Sequence, residues 1–223
     1  MNKTSKNAII FANGQPCSQD LVNKILTQYT DAIIIVLDGA IQHVSQYNFT
    51  PDIWLGDFDH NLDEKRFLKQ YPDLNILHTP DQEYTDLEKA ILYLQEHGFR
   101  TVNILWATGK RLDHTINNVV NIARFNTVFQ KIVLYDDYSV CMPLPKHFEQ
   151  YFIKDTVISL IPLGIAKGII TKNLKYPLNN EHLQIGYRNG TSNQVLEDGI
   201  VCISYVEGDI LLVLEKEAYF SCK

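Results

Sequence analysis

Over roughly the first 140 residues, short apolar runs alternate with segments of helical period, and few architectures accommodate that pattern. Ala8–Ala12, Ala32–Leu37, Ile53–Leu55, Asn75–His78, Thr101–Ala107 and Ile132–Tyr135 read as strands. Several are continuously apolar rather than alternating, which suits strands covered on both faces. In Thr85–His97 between them, Leu87, Ala90, Ile91 and Leu94 fall on one helical face, Thr85 and Glu88 form a capping box, and Gly98 stands at the C-terminal cap position. Thr115–Phe125 repeats the spacing with Ile116, Val119, Val120 and Ala123, which predicts that this face meets the sheet. Ser18–Tyr29 and Leu62–Gln70 are weaker helices of the same kind. The expectation is a mostly parallel, helix-covered sheet.

Past Pro143 and Pro145 the helical period disappears. Tyr151–Leu163, Gly164–Thr171, Leu183–Tyr187 and Gly199–Leu214 carry β-branched and aromatic runs. Ile200–Val206 and Ile210–Leu214 flank Glu207-Gly208-Asp209, a hairpin signal. The fold class expected is therefore α/β, with a parallel-sheet domain over residues 1–143 and a small antiparallel β-sandwich domain over 147–223.

Composition narrows the partners. The net charge of −6 lacks the clustered Lys and Arg of a surface that neutralises a nucleic-acid backbone, so no nucleic-acid partner is expected. Cys17, Cys141, Cys202 and Cys222 have no close pair, which favours reduced thiols over a zinc site or redox dithiol. The first seven residues carry no apolar signal region, and no apolar run approaches the ~20 residues that cross a bilayer, so a soluble cytoplasmic protein is expected.

Polar residues of the first domain gather where strands end. Asp38 follows the second run, Asp57 and Asp59 the third, Asp81 and Asp86 the fourth, and Gly109, Arg111 and Asp113 the fifth. In open parallel sheets those ends line the ligand crevice. Carboxylates converging there repel unless a cation joins them, and hard oxygen ligands suit Mg²⁺ shared with substrate phosphates. Each residue also has an ordinary structural explanation. An Asp after a strand is commonly a turn former or cap, Asp86 favours a helix dipole, and His114 is more simply a packing residue than a base. Asp57-x-Asp59-x-Asn61 is not a calcium loop, since Leu62 and Leu68 occupy the Gly and Glu positions. Gly109-Lys110-Arg111 is not a P-loop; it reads as a glycine turn, or as a loop whose N–H groups and cations face phosphate at a helix N-terminus.

Taken together the motifs are more specific. Gly56-Asp57-Phe58-Asp59, Asp81-Gln82-Glu83-Tyr84-Thr85-Asp86-Leu87-Glu88-Lys89-Ala90, Thr108-Gly109-Lys110-Arg111-Leu112-Asp113-His114-Thr115 and Asn117-Asn118 closely resemble the thiamine pyrophosphokinase family. Asp38-Gly39-Ala40 resembles its upstream Asp-Gly turn. Ser159–Leu163, Leu174-Lys175-Tyr176 and Gly190-Thr191-Ser192-Asn193 resemble its β domain, so the likeness spans nearly the whole chain in order. The resemblance implies a Rossmann-like domain before a thiamine-binding β domain, and transfer of diphosphate from ATP to the thiamine hydroxyl with AMP leaving.

It further implies that Asp38, Asp57, Asp59, Asp86 and Asp113 form the acidic site. Asp57, Asp59 and Asp86 would ligate Mg²⁺, and Asp38, Gly109, Lys110 and Arg111 would face the ATP phosphates. Gln82, Ser192 and Asn193 would place thiamine, in a homodimer whose sites draw on both subunits. Lys110 stands where the family usually has Gly, His60 where it usually has Ser, and Ala40 where a second Gly is common. Two rivals remain from the residues alone: another phosphate-transfer enzyme, and a nucleotide- or vitamin-binding module without catalysis.

Overall fold

A computed structural model describes residues 6–58 and 62–221. Its contacts divide the chain into two compact units, Met1–Asp137 and Tyr138–Lys223.

In the first unit the strands are β1 (Asn7–Phe11), β2 (Ile33–Leu37), β3 (Ile53–Gly56), β4 (Asn75–His78), β5 (Thr101–Leu105) and β6 (Lys131–Tyr135). Every pairing among them is parallel, in the order β4-β3-β2-β1-β5-β6. The continuous apolar runs are buried as expected: all five residues of β2 and all four of β3 are inside. Order reverses between β1 and β5, which makes their carboxyl ends the topological switch point where such sheets bind ligands.

The helices of this unit are α1 (Gln19–Gln28), α2 (Ile41–Val44, after a 3₁₀ turn at Asp38–Ala40), α3 (Glu64–Gln70), α4 (Asp86–Glu96) and α5 (Leu112–Arg124). Local chemistry sets the limits of α4. Thr85 and Glu88 close the capping box with bonds of 3.0 and 3.4 Å, and Gly98 at φ +69° carries the C-terminal turn. Leu87, Ala90, Ile91 and Leu94 face the sheet, as their spacing predicts.

Helix α5 corrects the sequence reading. Ile116 is 57% and Val120 43% exposed, as is Leu112 at 72%, while Asn118, Asn121 and Ile122 are buried. The helix is rotated because Asn118 Nδ2 donates to the Ala107 carbonyl at 2.8 Å, a bond that a side chain on the apolar face cannot supply. An apolar stripe is left facing outward.

The second unit contains β7 (Ser139–Pro143), β8 (His147–Phe152), β9 (Val157–Lys172), β10 (Asn179–Gln184), β11 (Gly190–Gln194), β12 (Gly199–Ser204), β13 (Glu207–Glu215) and α6 (Lys216–Ser221). Ser139–Pro143, which ends on the first of the two prolines, pairs with β13 and so belongs here. The long β9 organises the unit. Its first half pairs with β11 and β13, its second half with β10 and β12, all antiparallel. Gly164 and Gly168, at φ +81° and +68°, bend β9 inside what the sequence suggested were two strands. Side chains of both halves, Ile158 and Leu160 with Ala166 and Ile169, enter one core.

The hairpin expected at Glu207–Asp209 is absent. β12 and β13 each pair with β9 rather than with each other, and Gly208, at φ +84°, sits at a register shift of β13. A Cβ there would lie 2.2 Å from the Ile165 carbonyl oxygen, so the glycine serves a bulge and a close crossing, not a turn. Gly190–Asn193 is a bulged strand segment. Among the described residues no helix is long and apolar enough to cross a membrane.

Candidate active site

The carboxyl ends of β1, β2, β3 and β5, with the start of α4 and of α5, surround a cleft of about 620 Å³ in the first unit. It is lined among others by Asp38, Asp57, Gln82, Asp86, Lys110 and Arg111. Five loops from separate parts of the sequence, those after β1 to β5, are thus brought to one place by the parallel topology.

Asp38 begins the 3₁₀ turn after β2 in a left-handed conformation, φ +39°. Its backbone oxygen accepts from Trp54 Nε1 at 2.9 Å, and Oδ2 accepts from Asn13 Nδ2 at 3.1 Å. The residue is 7% exposed, and Oδ1 is buried with no hydrogen-bond partner among the described residues. Gly56 allows this fit, since a Cβ there would stand 3.2 Å from Asp38 Cα and Cβ. Asp57, one residue on, accepts from Gln82 Nε2 at 3.1 Å through Oδ2.

Asp86 occupies the first turn of α4. Burial pushes its carboxyl pKa up; Lys89 opposes that shift, and the Asp57 and Asp38 charges reinforce it. Lys89 Nζ stands 3.5 Å from Asp86 Oδ1 and donates to the Thr79 carbonyl at 2.7 Å, with only 9% of its side chain exposed. The cleft therefore concentrates negative charge against one nearly buried ammonium.

The opposite wall is cationic. Gly109, at φ +94°, permits the sharp loop before α5, where a Cβ would fall 2.5 Å from that of Gln15. Lys110 Nζ reaches Asn13 Oδ1 at 3.5 Å. Arg111 is the N-cap of α5 and gives it no side-chain acceptor, so first-turn N–H groups remain for an anion. Its side chain is 72% exposed and its guanidinium bonds Asp113 at 3.1 and 2.5 Å, and this contact holds the Asp113 carboxyl down to about 2. Asp113 thus faces Arg111 and does not line the cleft.

Asp59 and His60 lie outside the described residues. Among the described residues no three acidic, histidine or cysteine side chains stand close enough to enclose a metal ion by themselves. Ser192 and Asn193 belong to the second unit. Ser192 has φ +55° and donates its N–H to Ser159 Oγ at 2.9 Å; the Asn193 side chain is buried and bonds the Tyr176 backbone.

Comparison with known proteins decides the family. The model of the thiamin pyrophosphokinase catalytic domain matches residues 26–134, and that of the thiamin pyrophosphokinase vitamin B1 binding domain matches residues 146–210. The chain belongs to the thiamin pyrophosphokinase family. It is 26% identical over 208 residues to thiamin pyrophosphokinase 1 of Caenorhabditis elegans, covering 83% of this chain and 80% of that one. It is 27% identical over 196 residues to thiamine pyrophosphokinase of Bacillus subtilis, covering 84% and 90%. Thiamine pyrophosphokinase 2 of Arabidopsis thaliana is 30% identical over 181 residues, 75% of this chain and 66% of the relative. The crystal structure of the Bacillus subtilis protein shares the fold, with TM-score 0.77, 24% identity and coverage of 94% and 99%; that from Candida albicans gives 0.75, 18%, 94% and 89%. As a member of the thiamin pyrophosphokinase family the chain is a thiamine diphosphokinase, converting ATP and thiamine to AMP and thiamine diphosphate.

The catalytic-domain match contains Asp38, Asp57, Gln82, Asp86, Arg111 and Asp113, and the vitamin-binding match contains Ser192 and Asn193. Sequence reasoning passed over Asn13 and Gly14, which line the cleft just after β1. The strand-end rule applied to them too, since Asn13-Gly14 directly follows the first apolar run. A Cβ on Gly14 would lie 2.3 Å from the Trp106 oxygen, so this glycine lets the β1 and β5 loops touch. Lys89 was missed because a lysine in the first helical turns reads as solvated surface.

Proposed function

We propose that this chain carries out diphosphate transfer by in-line attack of the thiamine hydroxyl on the β-phosphorus of ATP, with Mg²⁺ held in the acidic wall of the cleft. The observation that carries the reading is the pairing of that acidic wall, Asp38, Asp57 and Asp86, with the α5 N-terminus and Lys110 and Arg111 at the sheet's switch point. Phosphoryl chemistry asks the protein chiefly for positioning and charge neutralisation, and these groups supply both.

The residues fit the metal. Among the described residues Asp38 Oδ1 is a buried carboxyl oxygen without a hydrogen-bond partner, and Asp57 and Asp86 share its cleft. Mg²⁺ is usually held by one or two carboxylates together with phosphate oxygens, so no closed cage of protein ligands is needed. Asp57 and Asp86 would hold the ion, with Asp59 as a further ligand and Asp38 beside them. When bound it supplies charge stabilisation to the transferring phosphates.

Arg111 and Lys110 neutralise the ATP phosphates from the other wall, and Asp113 keeps the Arg111 guanidinium oriented until substrate arrives. Gln82, fixed on Asp57, orients the thiamine hydroxyl side. Ser192 and Asn193 serve the thiamine end. The working unit is a homodimer in the cytoplasm, and the outward stripe of Leu112, Ile116 and Val120 beside the cleft-lining residues of α5 supports a second copy as its cover.

The test is purified chain with ATP, Mg²⁺ and a panel of vitamin alcohols, read by mass spectrometry. AMP and thiamine diphosphate should form only when thiamine is present, EDTA should abolish the reaction and Mg²⁺ should restore it. Full turnover in metal-free buffer, or orthophosphate release without thiamine, refutes the reading.

A further inference from the structure

Glu88 uses its two carboxylate oxygens for different purposes. Oε2 accepts from the Thr85 N–H and from Thr85 Oγ1, both at 3.0 Å, and so closes the cap at the start of α4. Oε1 accepts from Arg124 Nη1 at 3.0 Å, and Arg124 lies in the last turn of α5. The Glu88 side chain is 12% exposed and that of Arg124 52%. The Arg124 guanidinium also stands 5.2 Å from the centroid of the buried Phe125 ring, which steadies the cation on the side of its own helix.

The pair joins the two helices whose first turns wall the cleft. Helix α4 brings Asp86, and α5 brings Arg111 at its N-cap with His114 and Thr115 behind it. The start of α4 has a second fastening just past β4, where Lys89 Nζ donates to the Thr79 carbonyl at 2.7 Å. Asp86 therefore sits between two anchors, one to the sheet and one to the neighbouring helix. Capping accounts for Oε2 alone, because a helix start needs no distant cation to be capped. A half-exposed ion pair also adds little to stability. What the Arg124 contact supplies is a fixed span between the walls. Phosphoryl transfer is sensitive to such spacing: a displacement of about 1 Å caused by a remote substitution can cost about 100-fold in rate.

We propose that Glu88 and Arg124 are positioning residues for the reaction, their ion pair tying α4 to α5 and setting the distance between the acidic wall and the phosphate-facing wall. The proposal rests on the reading that Mg²⁺ and the ATP phosphates span those walls. It assigns Glu88, which lines the cleft near Asp86, to the tie rather than to the metal, since Thr85 and Arg124 engage both its oxygens. A loosened tie lets Asp86 drift from the phosphates that share its metal, so metal use and turnover suffer together. The contacts to thiamine, which that reading gives to the second unit, stay in place.

The experiment measures kcat, both KM values, the Mg²⁺ concentration for half-maximal rate and the melting temperature. The full-length variants are Arg124→Met, Arg124→Lys, Glu88→Gln, the Arg124→Met and Glu88→Gln double variant, and Asp57→Asn. Arg124→Met should lower kcat roughly tenfold or more and raise the Mg²⁺ requirement several-fold, with thiamine KM unchanged. Its melting temperature should move by less than roughly 4 °C. Glu88→Gln keeps an acceptor for the Thr85 N–H, so it should retain the cap yet match Arg124→Met in kinetics. In that background Arg124→Met should have no further effect, whereas independent effects would multiply. Arg124→Lys, which keeps the charge, should recover most of the loss. A lower kcat with an unchanged Mg²⁺ requirement would mean loss of folded protein and overturn the positioning role, as would multiplying effects in the double variant. If Asp57→Asn is impaired and Arg124→Met turns over like wild type, the tie fails while the metal site stands. If Asp57→Asn also turns over like wild type, the reading beneath fails with it. Should Glu88→Gln not fold, the half-exposed Arg124 variants decide the matter alone.

Discussion

Asp38→Asn should make the protein more stable without ligand and much worse as an enzyme, and the two effects have one cause. Among the described residues Asp38 Oδ1 is buried without a hydrogen-bond partner, in a cleft where Asp57 and Asp86 add like charge. Leaving a buried acceptor unsatisfied costs about 1–3 kcal/mol, more when it is charged. Asparagine keeps the shape and the bond from Asn13 but presents an unpaired amide where the charge stood. Part of the cost therefore remains, and the net gain should be about 1 kcal/mol. For a chain of this size that corresponds to a rise of roughly 2–4 °C in melting temperature. With Mg²⁺ and ATP at about 100 times Kd, the wild type gains ~2.7 kcal/mol. If the variant binds about 100-fold more weakly, it gains only ~0.4 kcal/mol. The order of melting temperatures should therefore invert on adding Mg²⁺-ATP, with turnover down by roughly 100-fold. Scanning calorimetry with and without ligand reads the inversion directly. A variant that melts below wild type in metal-free buffer, or keeps its lead with Mg²⁺-ATP, would show that Asp38 is an ordinary buried acid.

Asp57→Asn should lower kcat by roughly 100-fold, about 2.7 kcal/mol of barrier, while Gln82→Ala, acting partly through its 3.1 Å bond to Asp57, should cost less; equal kinetics for Asp57→Asn and wild type would make Asp57 a turn former. The Arg111 contact depresses the Asp113 carboxyl from 3.8 to about 2, so its stabilising effect is full above pH ~4 and fades as pH falls through 2. An NMR titration should show this depressed value and its return to the usual carboxylate range in Arg111→Ala, and an unshifted Asp113 in the wild type would remove the pairing. Ile116→Lys, in the outward stripe of α5, should turn a dimer into monomers by sedimentation and lower activity most at low protein concentration; an unchanged sedimentation profile would exclude the stripe as the contact.

Much of the fold was legible because its rules are local. Strands β1, β2 and β3 are covered on both faces, so continuous apolar runs betrayed them, and α4 is bounded by its own capping box and glycine. The failures share a cause of another kind. Helical spacing finds an apolar face but does not say that the sheet takes it. In α5 the Ala107 carbonyl needs a donor, Asn118 supplies it, and the apolar face turns away. Glycine between two β runs, as at Gly208, permits either a turn or a bulge. Which one forms depends on whether β12 and β13 pair with each other or both with β9, and that choice is made by residues more than thirty positions upstream.

The candidate site was legible for a reason the topology supplies: in a parallel sheet, sequence position after a strand is spatial position in the crevice. That logic reaches Asp38, Asp57 and Arg111, and it reaches Asn13 once the first strand is given the same scrutiny. It cannot reach residues whose role is to hold others. Lys89 is defined by the Thr79 carbonyl it bonds and the Asp86 charge it offsets. Asn193 is defined by the backbone of Tyr176, seventeen residues earlier. Such groups look like ordinary polar residues in sequence because their identity is set by a single partner that only the folded chain brings near. Their substitution should consequently move a partner: the Tyr176 backbone for Asn193, the charge state of the acidic wall for Lys89.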